Sequence, residues 1–298
     1  GTARSRARRV YSIVTTCKGR LHHLRESLPS MLRQPHSEVI VVDYDCPDDT
    51  AGYVSSRHPS ARVVRAGRAA GFNVSRARNI GAAAARGETL VFVDADVVLA
   101  DTFMGFVAAR VGKDAYGKPL EPLVSGDNSV QGTCVVHKRH FDLVGGYDEV
   151  LVNYGGEDLE LYERLNTAQV GIVPLGPELF LRVIPHGSED RERFFGKRAD
   201  QGFMVGKVYR VAKDMMIRLT GSFEIDLATR RGLYAEISRL VENMGEMTEG
   251  RSLTLEINFP DTATRGLHGR WSFLRTLKLT VTEKPVSAGA PPAGRDPA

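Results

Sequence analysis

The chain has 298 residues, of which 42% are hydrophobic and 26% are charged, and its formal net charge at pH 7 is +4. This is the composition of a globular protein, at a size that fits one large α/β domain or two small ones. No apolar run approaches the roughly 18 residues that a membrane span needs. No base-reading motif is present and basic residues do not alternate with aromatic ones, so the sequence argues against nucleic-acid binding.

Cys17, Cys46 and Cys134 are widely spaced and form no CxxC pair. This usage indicates a reducing compartment and no disulfide framework. No signal peptide precedes the first strand, so we expect a cytoplasmic protein. The basic segment RSRARR at residues 4–9 is interpreted as a solvated tail, and peripheral contact with a membrane surface is the alternative.

The first hundred residues alternate between predicted strands and helices. The strands are VYSIVTT (10–16), EVIVVDY (38–44), ARVVRA (61–66) and TLVFVDAD (89–96). HLRESLPSMLRQ and SRARNIGAAAARG are helical patterns; Pro29 breaks or kinks the first, and Gly87 follows the second. Continuous apolar strands separated by helices predict an α/β fold: a doubly wound, mostly parallel sheet with helices on both faces.

The second half is less regular. QGTCVVHK, GIVPLG and LFLRVIPH are predicted strands, and EDLELYERLNTA is a predicted helix. Residues 188 to about 245 are mostly helical and charged, and SLTLEINF and LKLTVTE are late strands. We therefore predict a catalytic domain at 10–210, a C-terminal extension at 211–285 and a disordered tail at 286–298.

Polar residues stand at the carboxyl ends of three predicted strands: Thr15 to Lys18, Asp43 to Asp45, and Asp94 to Asp96. Ligands of open α/β sheets bind beyond these strand ends. The arrangement is what a nucleotide cleft requires.

Asp94 and Asp96 are two carboxylates that repel each other unless a cation lies between them. Hard divalent ions prefer such oxygen ligands, although aspartates also cap turns at strand ends. His186 ends a later apolar strand and is a candidate third ligand. An imidazole beside two carboxylates favours Mn²⁺ over Mg²⁺.

Arg76 and Arg78 begin a helix whose dipole also favours anions, so they are candidate diphosphate contacts. Positions i and i+2 do not share a helix face, so at most one of them points at the ligand. Solvated side chains on an amphipathic helix are the alternative.

The segment NYGGED places two glycines, Gly155 and Gly156, before Glu157 and Asp158. Glycines allow the backbone to approach a ligand closely, and a carboxylate in the first helical turn can accept the proton of an attacking sugar hydroxyl. Taken alone, both acids are better explained as a helix start that complements the dipole.

In this order the motifs resemble the metal-dependent glycosyltransferases of the GT-A fold. SIVTTCKGR, EVIVVDYDCPDDT and ARNIGAAAARGETLVFVDAD look like a bacterial family-two transferase, whereas FNVSRARNIG, GGYDEVLVNYGGEDLELYERL and VIPH are closer to galactosyltransferases and N-acetylgalactosaminyltransferases. The resemblance covers residues 10 to about 190.

The resemblance implies roles for individual residues. Asp96 binds the metal, Asp94 contacts the ribose, the donor sugar or the metal, and His186 completes the protein ligands. Asp158 matches the catalytic base and Glu157 a contact to donor and acceptor sugars. The remaining implied donor contacts are Thr15, Thr16, Lys18, Arg20, Asn73, Ala95, Tyr154, Gly155 and Gly156.

Two positions depart from the family pattern. Tyr44 replaces the Asp that contacts uracil in many relatives, which leaves Asp43 or Asp45 to take over. Val74 replaces an Arg, so Arg76 or Arg78 must supply the phosphate charge.

The resemblance implies an inverting, metal-dependent hexosyltransferase. The expected metal is Mn²⁺ (or Mg²⁺), and the expected donor is UDP-Gal, UDP-GalNAc, UDP-Glc or UDP-GlcNAc. The acceptor is a hydroxyl of a glycan or other glycoside, such as a growing polysaccharide. A retaining enzyme, a sugar nucleotidyltransferase and a non-catalytic glycan- or nucleotide-binding module are the alternatives, although TTCKGRLHH is not the glycine-rich loop of a nucleotidyltransferase.

Overall fold

The computed structural model describes residues 11–68, 71–120, 130–152, 155–185, 199–243, 252–260 and 274–282. The helices in these ranges are α1 (Leu21–Leu32), α2 (Thr50–Arg57), α3 (Val74–Ala84), α4 (Phe103–Arg110), α5 (Lys138–Leu143), α6 (Glu157–Thr167), α7 (Ala199–Thr220) and α8 (Leu227–Asn243). The strands are β1 (Tyr11–Cys17), β2 (Ser37–Asp43), β3 (Arg62–Arg65), β4 (Thr89–Phe92), β5 (Val97–Leu99), β6 (Ala115–Lys118), β7 (Cys134–His137), β8 (Gly171–Pro174), β9 (Phe180–Val183), β10 (Ser252–Pro260) and β11 (Leu274–Thr282).

The main sheet has seven strands in the order β3-β2-β1-β4-β7-β6-β8. Its first four strands are mutually parallel, and β7 runs antiparallel to both β4 and β6. Strand β8 is parallel to β6, so β7 alone among these seven is reversed. The predicted doubly wound, mostly parallel α/β sheet is confirmed.

The central strands are buried on both faces, which explains their unbroken apolar sequences. Successive side chains of a strand point to opposite faces, so Ile13 and Val91 pack with α1 and α4, whereas Val14 and Phe92 pack with α3, α5 and α6. Strand order and this alternation place helices on both sides of the sheet.

Two predicted elements differ in detail. Helix α1 runs through Pro29 without a break. Strand β4 ends at Phe92, so Asp94 and Asp96 lie in the connection to β5 and not in the strand. Strand β5 pairs with β9 in a separate two-stranded sheet, which brings the end of β9 to this connection.

The predicted domain boundaries stay predictions, although helix α7 is continuous through residue 210. The chain forms two compact units, residues 1–234 and 235–298. In the second, β10 and β11 form an antiparallel pair over nine residues each. The tail at 286–298 and the basic segment at 4–9 lie outside the described residues. No helix in the described part of the chain is sufficiently long and apolar to cross a membrane.

Candidate active site

The loops that follow β1, β2 and β4 lie at one edge of the sheet. These three parallel strands are direct neighbours, with Cys17 opposite Asp43 and Val14 opposite Phe92. The carboxyl ends of parallel strands meet at the same edge, where α/β proteins bind nucleotides. The three predicted polar clusters are therefore brought together at this edge.

The loop after β1 is tied to the loop after β2. Lys18 is buried and donates hydrogen bonds from Nζ to the carbonyl oxygens of Tyr44 (3.2 Å) and Asp45 (3.3 Å). Thr16 is buried, and Thr15 lies within β1 with its side chain fully inside the protein. Lys18 thus ties the two loops together.

The structure separates the two aspartates that were candidates to replace Tyr44. Asp43 accepts hydrogen bonds from the backbone N–H of Cys46 (2.8 Å) and Ala51 (2.9 Å), so its carboxylate organises the loop itself. Asp45 is exposed, in the left-handed backbone conformation (φ 52°). Tyr44 is buried edge-on against Phe72, at 5.4 Å between ring centroids. Of the two aspartates, Asp45 is the exposed one, and its Oδ2 lies 3.9 Å from Lys18 Nζ.

Asp94 and Asp96 are each paired with a different arginine side chain. Asp94 Oδ1 accepts a 2.8 Å hydrogen bond from Arg78 Nη2, and Asp96 Oδ2 lies 3.4 Å from Arg20 Nη1. Between them, the Ala95 carbonyl accepts a 2.6 Å bond from Ser27 Oγ, which anchors the turn to α1. Ala95 contributes its backbone to this turn, and its side chain is buried.

Arg78 joins the DAD segment to the GGED segment. Its Nη1 donates to Glu157 Oε1 at 3.1 Å while its Nη2 holds Asp94, and its guanidinium lies 5.0 Å from the centre of the Tyr147 ring. The side chain is buried and paired with two carboxylates, so it does not present a free charge to a diphosphate. Arg76 is exposed and is the arginine of this pair that a ligand can reach.

Gly132 makes room for the ion pair of Arg78 and Asp94. A Cβ atom there would collide with the Asp94 carboxylate and lie 2.8 Å from Arg78 Nη2. Gly132 has no recognisable signal in the sequence, because only the fold brings residue 132 beside residues 78 and 94.

The turn before α6 requires glycine. Gly155 (φ +83°) and Gly156 (φ +96°) both adopt the left-handed region that side chains disfavour. Helix α6 then begins at Glu157, with no side-chain cap. Tyr154 lies outside the described residues. The glycine pair therefore determines where Glu157 and Asp158 lie at the start of α6.

Asp158 has an unusual electrostatic environment. Burial among protein atoms and the neighbouring negative charge of Glu157 raise its pKa to about 7, although Arg78 works in the opposite direction. The residue as a whole is half-buried. A carboxylate that titrates near neutrality is suited to accept a proton.

Asn73 and Asn79 organise the loops around α3. Asn73 caps the helix by accepting a 2.9 Å bond from Arg76 N, and its Nδ2 donates to the Glu149 carbonyl. Asn79 binds both the N–H and the carbonyl of Tyr147, at 2.9 Å each. Asn73 thus caps α3 in addition to its predicted role as a donor contact, and Asn79, which has no predicted role, fixes the loop at Tyr147.

The described residues contain no group of three or more His, Cys, Asp or Glu side chains arranged for a metal ion. His186, the predicted third ligand, lies outside the described residues. Of the predicted ligands that are described, Asp94 and Asp96 offer carboxylate oxygens, the ligand type that hard divalent cations prefer, and the structure pairs them with Arg78 and Arg20.

Two family models match successive parts of the chain. Residues 12–117 match glycosyl transferase family 2, and residues 119–180 match the N-terminal domain of galactosyltransferase. Together they span more than half of the chain and contain every site residue named above except His186. Among curated protein sequences, none matches this chain significantly.

Solved structures share the fold at low sequence identity. The mannosyltransferase PcManGT from Pyrobaculum calidifontis, in complex with GDP-Man and Mn²⁺, matches with a TM-score of 0.52 and 14% identity over 80% of this chain and 76% of that chain. Residues 1–349 of S. aureus TarS, in complex with UDP-GlcNAc, match with a TM-score of 0.55 and 15% identity over 76% of this chain and 71% of that chain. A longer TarS structure matches with a TM-score of 0.53 and 16% identity over 76% of this chain, which spans only 42% of that chain.

The sheet, the strand-end cleft and the two family models define the class: the chain is a glycosyltransferase with the GT-A fold. Within that class, a family 2 segment is followed directly by a galactosyltransferase-type segment that carries the GGED turn. The predicted resemblance is confirmed, and the GGED segment lies in the galactosyltransferase match. FNVSRARNIG, predicted to be galactosyltransferase-like, lies within the family 2 match, and VIPH lies beyond the end of both.

Proposed function

We propose that this glycosyltransferase is inverting and metal-dependent, and that it moves a hexose or N-acetylhexosamine from a UDP-sugar to a hydroxyl of a glycan or other glycoside. Asp158 is the base that takes the proton of the acceptor hydroxyl. The observation that carries the proposal is the position of Asp158. It is a half-buried residue whose carboxyl group has a pKa raised to about 7, next to Glu157, whose partner Arg78 also holds Asp94.

The residues divide the work between donor and acceptor. Asp94 and Asp96, with His186, are proposed to hold Mn²⁺; Ile184, two residues before His186, donates its N–H to the Asp96 carbonyl at 2.8 Å, which supports this grouping. A bound divalent cation would neutralise the charge that develops on the departing nucleoside diphosphate. Arg76 and Asp45 are the exposed groups proposed to contact the nucleotide.

Glu157 and the glycine pair are proposed to position the sugars. Glu157 Oε1 is held by Arg78, so its carboxylate has a fixed place beside Asp158. A fixed partner and a rigid helix start limit the movement of the base, and catalysis depends on such positioning.

The base assignment is tested with Asp158→Asn. We expect UDP binding in the presence of Mn²⁺ to stay within about twofold of wild type, and transfer to fall by about 10²–10⁴, the usual contribution of a general base. Asp142→Asn is the matched control, because it makes the same substitution at an exposed position on α5. It should leave UDP binding and transfer unchanged. Product NMR decides the stereochemistry: retention of the anomeric configuration would remove the role of Asp158 as base.

The metal assignment is tested by measuring UDP affinity with and without Mn²⁺. We expect Mn²⁺ to tighten binding in wild type but not in Asp96→Asn, with the exposed Asp101→Asn as control. Equal affinity in wild type with and without the metal would contradict the assignment. UDP- and GDP-sugars are screened together, because the two similar structures hold one of each.

A further inference from the structure

Two cysteines face each other at the edge of the cleft. Cys17 ends β1 and is buried, and Cys46 is half-buried in the loop after β2. Their Sγ atoms are 4.0 Å apart. A disulfide needs about 2.05 Å between sulfurs, so an approach of about 2 Å would close the bond.

The surroundings distinguish the two sulfurs. Gly19 donates its backbone N–H to Cys46 Sγ at 3.1 Å, and Thr50 Oγ1 donates to Cys17 Sγ at 3.3 Å. The hydrogen bond from the Cys17 thiol lowers the pKa of Cys46 to about 5, whereas the same contact and burial raise the pKa of Cys17. One thiolate therefore lies beside one protonated thiol, which is the pairing that thiol oxidation uses.

The third cysteine has none of these features. Cys134 is fully buried in β7, and burial raises its pKa to about 12. It serves as an internal reference for an unreactive thiol in the same chain.

We propose that Cys17 and Cys46 form a reversible redox pair, in which a hydroperoxide oxidises Cys46 and Cys17 resolves the product to a disulfide. The proposed transfer reaction uses neither sulfur. Redox-sensing disulfides of this transient kind are the ones found in reducing compartments.

The chemistry balances with one hydroperoxide. The Cys46 thiolate attacks a peroxide oxygen of H₂O₂; an S–O bond forms, the O–O bond breaks, and hydroxide leaves, giving a sulfenic acid. Cys17 then attacks the Cys46 sulfur; the S–S bond forms, the S–O bond breaks, and the hydroxyl leaves with the Cys17 proton as water. Two sulfurs lose two electrons in total, and the peroxide gains them.

Closure of the pair changes the cleft. Closing the gap of 4.0 Å between the sulfurs shifts at least one of the two loops, which are joined by the bond from Gly19 N–H to Cys46 Sγ and by the bonds from Lys18 to the carbonyls of Tyr44 and Asp45. On the proposed function, these loops contact the nucleotide, so oxidation is expected to weaken UDP binding.

The first experiment uses the reduced wild-type chain and needs no variant. At pH 7, iodoacetamide should alkylate Cys46 at least about tenfold faster than Cys134, because the thiolate is the reacting form. After treatment with one equivalent of H₂O₂, mass spectrometry of the digest should find a Cys17–Cys46 linked peptide that dithiothreitol removes. Absence of this peptide, or equal alkylation of Cys46 and Cys134, would overturn the redox pair.

Variants assign the two roles. In Cys17→Ser, the sulfenic acid on Cys46 should persist and react with dimedone, whereas Cys46→Ser should give neither adduct nor disulfide. Cys134→Ala should form the disulfide as wild type does. If oxidised and reduced protein bind UDP equally well, the predicted effect of oxidation on UDP binding is wrong. If reduced protein binds no UDP, the proposed function fails, but the linked peptide still supports the redox pair.

Discussion

A carboxylate at a helix N-terminus is ordinarily a stronger acid than in water, since the helix dipole favours negative charge there. Asp158 departs from this rule. Desolvation and the charge of Glu157 outweigh both the dipole and Arg78, and the pKa rises to about 7. The helix start supplies the position of this residue, and its neighbours supply its basicity.

The pH profile of transfer follows from this balance. We expect kcat/KM of wild type to fall as the pH drops below about 7, because Asp158 becomes protonated in the free enzyme. Glu157→Gln removes a negative charge that raises this pKa, so the acid limb should move to lower pH. An acid limb in Glu157→Gln at unchanged or higher pH would contradict the coupling of the two carboxylates.

The stability of the folded chain should also depend on pH through Asp158, and it should fall over the pH range in which activity rises. The pKa of Asp158 is higher in the folded chain (about 7) than the value of about 3.9 expected when unfolded. Its stabilising contribution is therefore complete below about pH 4 and is lost as the pH rises through 7.

We accordingly expect Asp158→Asn to raise the thermal midpoint relative to wild type more at pH 8 than at pH 5.5, measured by differential scanning fluorimetry. The exposed Asp142→Asn controls for general charge removal, and its difference from wild type should not grow with pH. A relative stability of Asp158→Asn that falls between pH 5.5 and 8 would mean that the raised pKa is wrong.

At the scale of the elements, helix α3 carries much of the site, and a glycine controls its distance from the sheet. Gly81 faces β1 and β2, and a Cβ atom there would collide with Val14 Cγ1 and approach Val42 Cγ2 at 3.1 Å. The glycine inside this Ala-rich pattern is thus a packing residue. Close packing of α3 keeps Arg78 between Asp94 and Glu157.

Gly81→Ala should lower the free energy of unfolding by about 1–3 kcal/mol, the usual cost of overpacking a core. Gly105→Ala on α4 is the matched control, because its Cβ atom would meet open space and alanine favours helix by about 1 kcal/mol. Urea denaturation of both variants checks the prediction. A Gly81→Ala variant as stable as Gly105→Ala would mean that α3 moves away from the sheet at little cost.

At the scale of the whole molecule, buried charges connect parts that are distant in sequence. Lys213 of α7 donates to Asp148 Oδ2 (2.6 Å) and to Glu160 Oε1 of α6 (2.7 Å). Asp148 also accepts from Tyr209 and Arg230. Burial works to raise the pKa of Asp148, but Lys213 and Arg230 outweigh it and lower that pKa to about 2. Residues beyond 210 thereby hold the helix that carries Asp158.

Lys213→Met should destabilise the chain by about 3–5 kcal/mol, since it leaves two buried carboxylates without their shared cation. Lys207→Met on the same helix is exposed and should change stability by less than about 0.5 kcal/mol. Thermal and urea unfolding of both variants provide the comparison. Equal stability of the two variants would show that Arg164 and Arg230 suffice for Glu160 and Asp148.

The sequence predicted those features that depend on local patterns. Unbroken apolar strands, helices between them and polar strand ends follow from periodicity and turn chemistry, and the fold class was confirmed. The ends of elements were less predictable: β4 stops at Phe92 and α1 continues through Pro29, because tertiary packing outweighs the local signal at both places.

By itself, the sequence determined the class of enzyme, because the residues that bear its chemistry lie in short contiguous motifs after strands or at helix starts. Only the tertiary structure decided what each side chain in those motifs faces. It placed Arg78 between Asp94 and Glu157, turned Asp43 inward and Asp45 outward, set Gly132 beside the ion pair, and brought Cys46 to Cys17. Except for the turn closed by Asp43, these pairings join residues that are 16 to 79 positions apart in the sequence. Local sequence patterns do not show such pairings, because burial and charge act through space and not along the chain.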